Sequence, residues 1–367
     1  LHLSIRRQRQ MCIRDRFKGT AKRSTLDITY ALGNMAAKSN AYTSEESTVY
    51  YAAVLPEYFD DLKELLSDML RPSFNPTEFD VEKKVILEEI ALYKDKPHYF
   101  LFEHMFADYF KGHCAGNSVL GSTESVSAVT RDEMKSYFDR RYVASNMLVV
   151  ATGNFDWEDL IKDLTKYCAS WPKGEVKREL KKFIPTKLEK IYTKKDLNQV
   201  HLAFLANGPS IEDDERFPLG VLAVIVGDSV GSKLYWELID KGLAETADMD
   251  VDEKEDAGCV MTFVSTEPEN VDKVRGIVRK VLGQAADFTD QELERAKTKL
   301  VTRIVLGGES TLGRMRSIGH EWMSRKEIHN LNNYVSKIKR VDRATINKAL
   351  EKFPLTDWSE FRLQSEN

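Results

Sequence analysis

Long apolar runs are missing from this 367-residue chain. Without a stretch of about 18 apolar residues, no membrane-spanning helix is expected. Cysteine is scarce too. Cys12, Cys114, Cys168 and Cys259 lie far apart, and none forms a CxxC pair. That spacing argues against a disulfide framework and a cysteine-rich zinc site, and predicts reduced, mostly buried thiols. Neither sign of charge dominates: the net charge is -4. A nucleic-acid partner therefore has no chain-wide electrostatic support. Only residues 1–16 are locally basic, with Arg6, Arg7, Arg9, Arg14 and Arg16. They lack the apolar core segment of a signal peptide.

Several catalytic motifs are also absent. Glu103-His104 would end an HxxEH motif, but Phe100 stands where its first histidine belongs. His320-Glu321 would open HExxH, but Ser324 stands where its second histidine belongs. Either motif needs two imidazoles on one helical face. His113-Cys114 offers two ligands and lacks the further two that a zinc site needs. "GDSVGSK" at 227–233 has the wrong spacing and order for a phosphate loop. His201 sits in an apolar run and reads as a satisfied core residue. No local Ser/His/Asp grouping stands out.

What is present reads as a soluble globular chain long enough for two domains. A helix is expected over 24–39 with Ser24 as its cap, followed by a β-rich run over 40–55. Further helices are expected near 57–70, 76–95, 98–111, 131–140 and 157–168. "SNMLVVATGNFD" (145–156) reads as a strand ending in a Gly-Asn turn. Two prolines, a glycine and many lysines make 171–188 the linker candidate. The second block opens with strands at "EKIYTKK" and "NQVHLAFLA". Helices near 215–228 and 231–241, a strand at "CVMTFVST" and long helices follow.

The two blocks read as diverged copies. "PSFNPTEFDVEKKVILEEI" aligns with "ADFTDQELERAKTKLVTRI", pairing Phe74 with Phe288, Glu78 with Glu292, Lys83 with Lys297 and Ile90 with Ile304. Asn75 with Glu78, and Thr289 with Glu292, are capping-box pairs at matching places. Glu82 and Glu89 stand seven apart on the first of these helices and so share one face. Their counterparts are Ala296 and Arg303. A site retained in one copy fits that difference, and so do two solvated glutamates on a charged helix.

From Phe17 onward the chain resembles the pitrilysin/insulinase family of zinc endopeptidases, in its short mitochondrial-processing-peptidase-like branch. The resemblance rests on "FKGT", "NAYTSEESTVYY", "VILEEIALYKDKP", "LGSTESVSAVTRDEMKSYFDRRYVASNMLVVATGNFD", "GSKLYWELIDKGLAETA" and "ELERAKTKLVTRIVLGGESTLGRMRSIG", and covers about residues 17–355. It implies an α+β fold of two homologous domains, each a largely antiparallel sheet with helices packed on one face. It also implies zinc held by the two histidines of HxxEH and a distant glutamate, with the motif glutamate as general base. On this chain Glu89 matches the distant ligand and Glu82 the supporting carboxylate. Asn40, Ala41 and Thr43 match the strand that pairs with an extended substrate. Peptides or unfolded segments are the implied substrates, and a homodimer or a heterodimer with a related chain the implied assembly. Neither nucleic acid nor membrane is an expected partner.

The chain departs from the family at two places. HxxEH should occupy positions 10, 13 and 14, where Gln10, Ile13 and Arg14 stand. Isoleucine offers no base and arginine a fixed positive charge. The expectation is no tight zinc site and no hydrolysis by the chain as written. "MCIRDR" also resembles a translated sequencing-adapter run, so 1–16 reads as a foreign leader. The expected domains are then 17–170, lacking its opening strands, and 189–367. A genuine non-catalytic partner subunit is the alternative. The second departure is "DKGLAET", where Glu245 replaces a tyrosine of the family and no arginine aligns. Gly242 there reads as a helix cap. A reducing compartment such as the cytoplasm fits the thiols, while the compartment itself stays open.

Overall fold

The computed structural model describes residues 18–176, 183–328 and 330–366. The described residues of Leu1–Lys94 and Asn117–Glu179 form one compact unit. Those of Asp95–Gly116 and Leu180–Asn367 form the other. The fold is α+β, and among the described residues no helix is long and apolar enough to cross a membrane. The foreign-leader expectation for 1–16 falls outside the described residues.

The first unit begins with α1 (Thr25–Asn34), whose N-terminus is closed by a capping box of Ser24 and Asp27. The helix stops at Asn34 rather than 39. Ala36 turns to φ +47°, and Lys38 and Ser39 are drawn into a strand ladder instead. That ladder is a hairpin of β1 (Lys38–Thr43) and β2 (Thr48–Ala53), paired from Lys38↔Ala53 to Thr43↔Thr48. Ile28 and Met35 pack with Leu62, Leu65 and Met69 of α2 (Phe59–Met69), and Ala52 and Val54 join them. The long α3 (Pro76–Asp95) follows. After α4 (Pro97–Tyr109), the chain continues through α5 (Thr123–Ala128), α6 (Arg131–Arg141) and α7 (Trp157–Cys168).

The strand expected at 145–156 does not form. Ala144–Asn146 is a 3-10 turn, and no strand is assigned from Met147 to Asp156. A strand needs a neighbour to complete its backbone hydrogen bonds. Among the described residues, β1 and β2 pair only with each other. Leu148 and Val149 stay exposed.

The second unit holds a five-stranded sheet of β3 (Glu189–Lys194), β4 (Val200–Asn207), β5 (Thr246–Glu253), β6 (Gly258–Thr266) and β7 (Trp358–Ser365). Its order is β3-β7-β4-β6-β5. Only the β3–β7 pair is parallel. Leu202, Phe204, Val260 and Val264 form one core with α8 (Arg216–Gly227), α9 (Val271–Gly283), α10 (Asp290–Glu309) and α13 (Arg343–Lys352). From the other face, Ala203, Leu205, Phe263 and Phe361 meet Leu101, Met105, Tyr109 and Phe110 on α4 or just beyond it. So α4 packs with the second unit's sheet, although the sequence places it in the first domain. Between α10 and α13 lie α11 (Thr311–Arg325) and α12 (Leu331–Lys339).

The helix expected at 231–241 is shorter and contains a π-helical turn, Tyr235–Ile239. Gly242 closes it at φ +64°. "GDSVGSK" forms a turn in which Ser232 Oγ donates to the Asp228 carbonyl at 2.6 Å. Its acidic residue serves an ion pair rather than a phosphate.

The repeat is legible in the structure. Each copy runs hairpin, 3-10 turn (Pro56–Tyr58 or Pro268–Asn270), helix, long helix. Arg131 donates to the carbonyl of Phe74, and Arg343 donates to that of Phe288. Counted from these two arginines, Met147 falls on Ser359, within β7. In the second unit β7 lies between β3 and β4. The described part of the first unit holds no counterpart of either.

Candidate active site

The site expected from sequence lies on α3 and β1. Asn75 starts α3: its Oδ1 accepts from Thr77 N at 2.9 Å and Glu78 N at 3.4 Å, with Pro76 at the first position. Thr289 and Glu292 form the full reciprocal box in the second copy. Helical spacing then turns Phe79, Glu82, Ile86 and Ile90 inward together, and all four are buried. Glu89 borders this stripe half-buried, and Glu88 is exposed.

A carboxylate 2% exposed among apolar side chains requires compensation. Lys18 supplies part of it, with Nζ 3.3 Å from Glu82 Oε2. Sequence reasoning missed this contact. Lys18 belongs to "FKGT", so the motif's position beside the expected site was the available signal. The rest of the motif is pinned to the end of α2. Thr20 Oγ1 donates to Asp68 at 2.7 Å, and Arg23 Nη1 donates to the same carboxylate at 2.8 Å. Arg23 Nη2 also donates to Glu64. Hydrogen bonding to Glu64 holds the Arg23 pKa above its ordinary value. Gly19 sits at φ +121°, and a Cβ there would lie 3.2 Å from the Arg23 carbonyl. This backbone path favours glycine.

On β1, Asn40 is exposed, while Ala41 and Thr43 are half-buried. Asn40 Oδ1 accepts from Ala41 N at 2.8 Å, so the Asn40 side chain occupies one backbone donor of this strand. Thr43 Oγ1 and Thr48 Oγ1, a register pair, are buried without a hydrogen-bond partner. Beside the hairpin a groove is lined by Leu32, Tyr50, Tyr51, Leu66, Met69 and Leu70, with Ser39 and Asn40 at the strand. Among the described residues β1 has one ladder partner, β2.

On α3 the described residues do not by themselves complete a zinc site. No group of three metal-ligating side chains among them includes Glu82 or Glu89. Gln10, Ile13 and Arg14 lie outside the described residues, and none is an imidazole or a carboxylate. His201, read as a core residue, is one: it is buried and its Nδ1 lies 2.8 Å from Ser265 Oγ. At the second copy's counterpart of Glu89, Arg303 Nη2 donates to Asp228 Oδ1 at 2.5 Å. Lys299 Nζ donates to Asp228 Oδ2 at 2.9 Å.

Residues 11–123 match the family described as Insulinase (Peptidase family M16), and residues 128–300 match the Peptidase M16 inactive domain. An uncharacterized zinc protease of Streptomyces coelicolor is 31% identical over 342 residues, covering 89% of this chain and 73% of that protein. One from Bacillus subtilis is 27% identical over 336 residues, covering 90% of this chain and 81% of that protein. A crystal structure of a Helicobacter pylori protease superposes with a TM-score of 0.87 at 17% identity, over 97% of this chain and 89% of that one. The inactive-domain match spans β3–β6 and the first part of α10, including Ala296, the counterpart of Glu82, and ends before Arg303. By these matches the chain belongs to the insulinase family, peptidase family M16.

Proposed function

We propose that the parent activity of this chain is zinc-dependent endoproteolysis of extended peptides in an enclosed chamber. The chain as written binds such peptides without cleaving them. The observation that carries this reading lies in the sequence: Gln10, Ile13 and Arg14 stand where HxxEH is expected, while Glu82 and Glu89 share a face of α3. Names of relatives as zinc proteases support the metal and the reaction class. Asn40, Ala41 and Thr43 on β1 take the peptide backbone by strand addition, a mode with little demand on side-chain sequence. In this reading the domains are 17–170 and 189–367, joined by 171–188, with the α4 segment of the first packed in the core of the second unit. Substrates are peptides or unfolded segments, and the chain pairs with itself or a related chain.

The test measures bound zinc and hydrolysis of a fluorogenic peptide library. The chain as written is expected to show neither above background. Placing His, Glu and His at positions 10, 13 and 14, together with a first strand from a relative, is expected to restore zinc. Glu89→Gln in that restored protein should weaken zinc strongly, as loss of a ligand does. Zinc-dependent cleavage by the chain as written, abolished by Glu89→Gln, would sink the inactivity. Unchanged zinc affinity in the restored Glu89→Gln protein would sink the ligand assignment. A non-catalytic partner subunit is the competing reading, favoured by the same missing ligands. Genomic sequence with an arginine-rich run directly before "FKGT" would decide for it, and HxxEH there would decide against it.

A further inference from the structure

Away from α3, His113, Cys114 and Asp256 bring three metal-capable side chains together within the second unit. His113 and Cys114 follow α4, and Asp256 lies in the turn between β5 and β6. They are distant in sequence, so only the fold supplies the third ligand. His113 Nε2 lies 3.2 Å from Asp256 Oδ2 and 4.0 Å from Cys114 Sγ. All three ligand atoms fall within 4.8 Å of one another. Tetrahedral zinc, with bonds of about 2.0–2.3 Å, sets its ligand atoms about 3.3–3.7 Å apart. The cluster needs only a small contraction to match.

One further observation points to a cation. Asp256 Oδ1 is buried with no hydrogen-bond partner, and a carboxylate oxygen in that state is costly unless an ion or donor meets it. The two ligand-bearing turns also pass close to neighbouring backbone. A Cβ on Gly116 would lie 2.7 Å from the Phe110 carbonyl, and one on Gly258 would lie 1.9 Å from the Pro209 carbonyl. Neither position has room for a side chain. His113 is buried beside the rings of Phe110 and Phe183.

We propose that His113, Cys114 and Asp256 form a structural site for a thiophilic divalent cation of the zinc class. Such an ion ties the Asp95–Gly116 excursion to the β5–β6 turn, with a fourth position left for water. The chemistry selects the ion. Ala115 N donates to His113 Nδ1 at 3.1 Å, so in the metal-free state Nε2 carries the imidazole proton and faces Asp256. On binding, the Nε2 lone pair goes to the metal, the ring proton moves to Nδ1 and the Ala115 bond is given up. Cys114 loses its thiol proton to solvent. Magnesium and calcium gain too little from a thiolate to offset those losses, whereas zinc and cobalt(II) favour it.

The test titrates cobalt(II) into the intact chain under reducing conditions. One equivalent should produce thiolate-to-cobalt charge-transfer absorption and tetrahedral visible bands. Zinc should displace the cobalt and raise Tm. Cys114→Ser should lose the charge-transfer band. Asp256→Asn, which keeps an oxygen acceptor for His113, should bind at least about tenfold more weakly. If Cys114→Ser fails to fold, His113→Asn serves, because its side-chain oxygen can still accept from Ala115 N. Loss of the band in Cys114→Ser separates this site from the one on α3, whose expected ligands include no thiolate. A folded chain that gives no charge-transfer band, or a band that survives Cys114→Ser, overturns the proposal and leaves the trio a hydrogen-bonded brace.

Discussion

Replacing Asp228 by asparagine tests the charge logic of the second copy. Arg303 occupies the position that Glu89 holds in the first copy, and it pairs with Asp228. Asp228 has a side chain 14% exposed. Although burial pushes its pKa up, hydrogen bonds from Arg303, Lys299 and the Ser229 backbone outweigh that and bring it from 3.8 to about 2. At roughly 1.36 kcal/mol per pH unit, that interval corresponds to about 2.4 kcal/mol. Arg303 is half-exposed, and solvent screening trims the figure to about 1–2 kcal/mol. A depressed carboxylate pKa stabilises the fold above the unfolded value and loses that contribution as pH falls toward the folded value. The stabilisation is therefore complete at pH 7, about half present at pH 3, and nearly gone at pH 2.

The assay is urea unfolding followed by tryptophan emission, with Trp236, Trp322 and Trp358 reporting on the second unit. Asp228→Asn should lower the unfolding free energy by about 1–2 kcal/mol at pH 7, and its deficit should shrink by about half at pH 3. An unchanged urea midpoint at pH 7 would refute the reasoning. So would a deficit of the same size at both pH values, since a loss independent of titration belongs to packing rather than to charge.

Two further outcomes follow from buried or constrained positions. Burial lowers the His201 pKa to about 4, with His98 adding to the effect, so its folded form binds fewer protons than the unfolded chain between about pH 4 and 6.5. Stability should fall by about 1–2 kcal/mol from pH 7 to pH 5 through this group alone; His201→Asn should flatten that slope, and an NMR titration midpoint above pH 6 would contradict it. Gly19→Ala should cost about 1–3 kcal/mol from its backbone conformation and speed proteolysis near residues 18–24, and a variant as stable and protease-resistant as the parent would show that the turn is not strained.

The α3 boundaries were legible because local chemistry sets them. Asn75 and Pro76 open the helix, and the 3.6-residue spacing of Phe79, Glu82, Ile86 and Ile90 runs through it. β5 escaped notice for the opposite reason. "TADMDVDE" is acidic and reads as a poor strand by composition, yet its Ala247 and Met249 are buried while Asp248 and Asp250 face solvent. Pairing with β6 overrides propensity there. β7, "WSEFRLQS", was missed on the same grounds and is held between β3 and β4. The segment 145–156 failed in the reverse direction: its composition suits a strand, yet none forms there among the described residues. Glu82 and Glu89 could be placed on one face by counting, but only packing shows Glu82 buried against Lys18.

The sequence by itself determined the family, the duplication and the absence of HxxEH at positions 10, 13 and 14. Those properties reside in residue order and short-range spacing. Tertiary structure alone decided that α4 belongs to the second unit's core, that Arg303 answers Asp228, and that Asp256 joins His113 and Cys114. Each of these joins residues far apart in the chain, and their approach is set by sheet order and core packing, which no local pattern encodes.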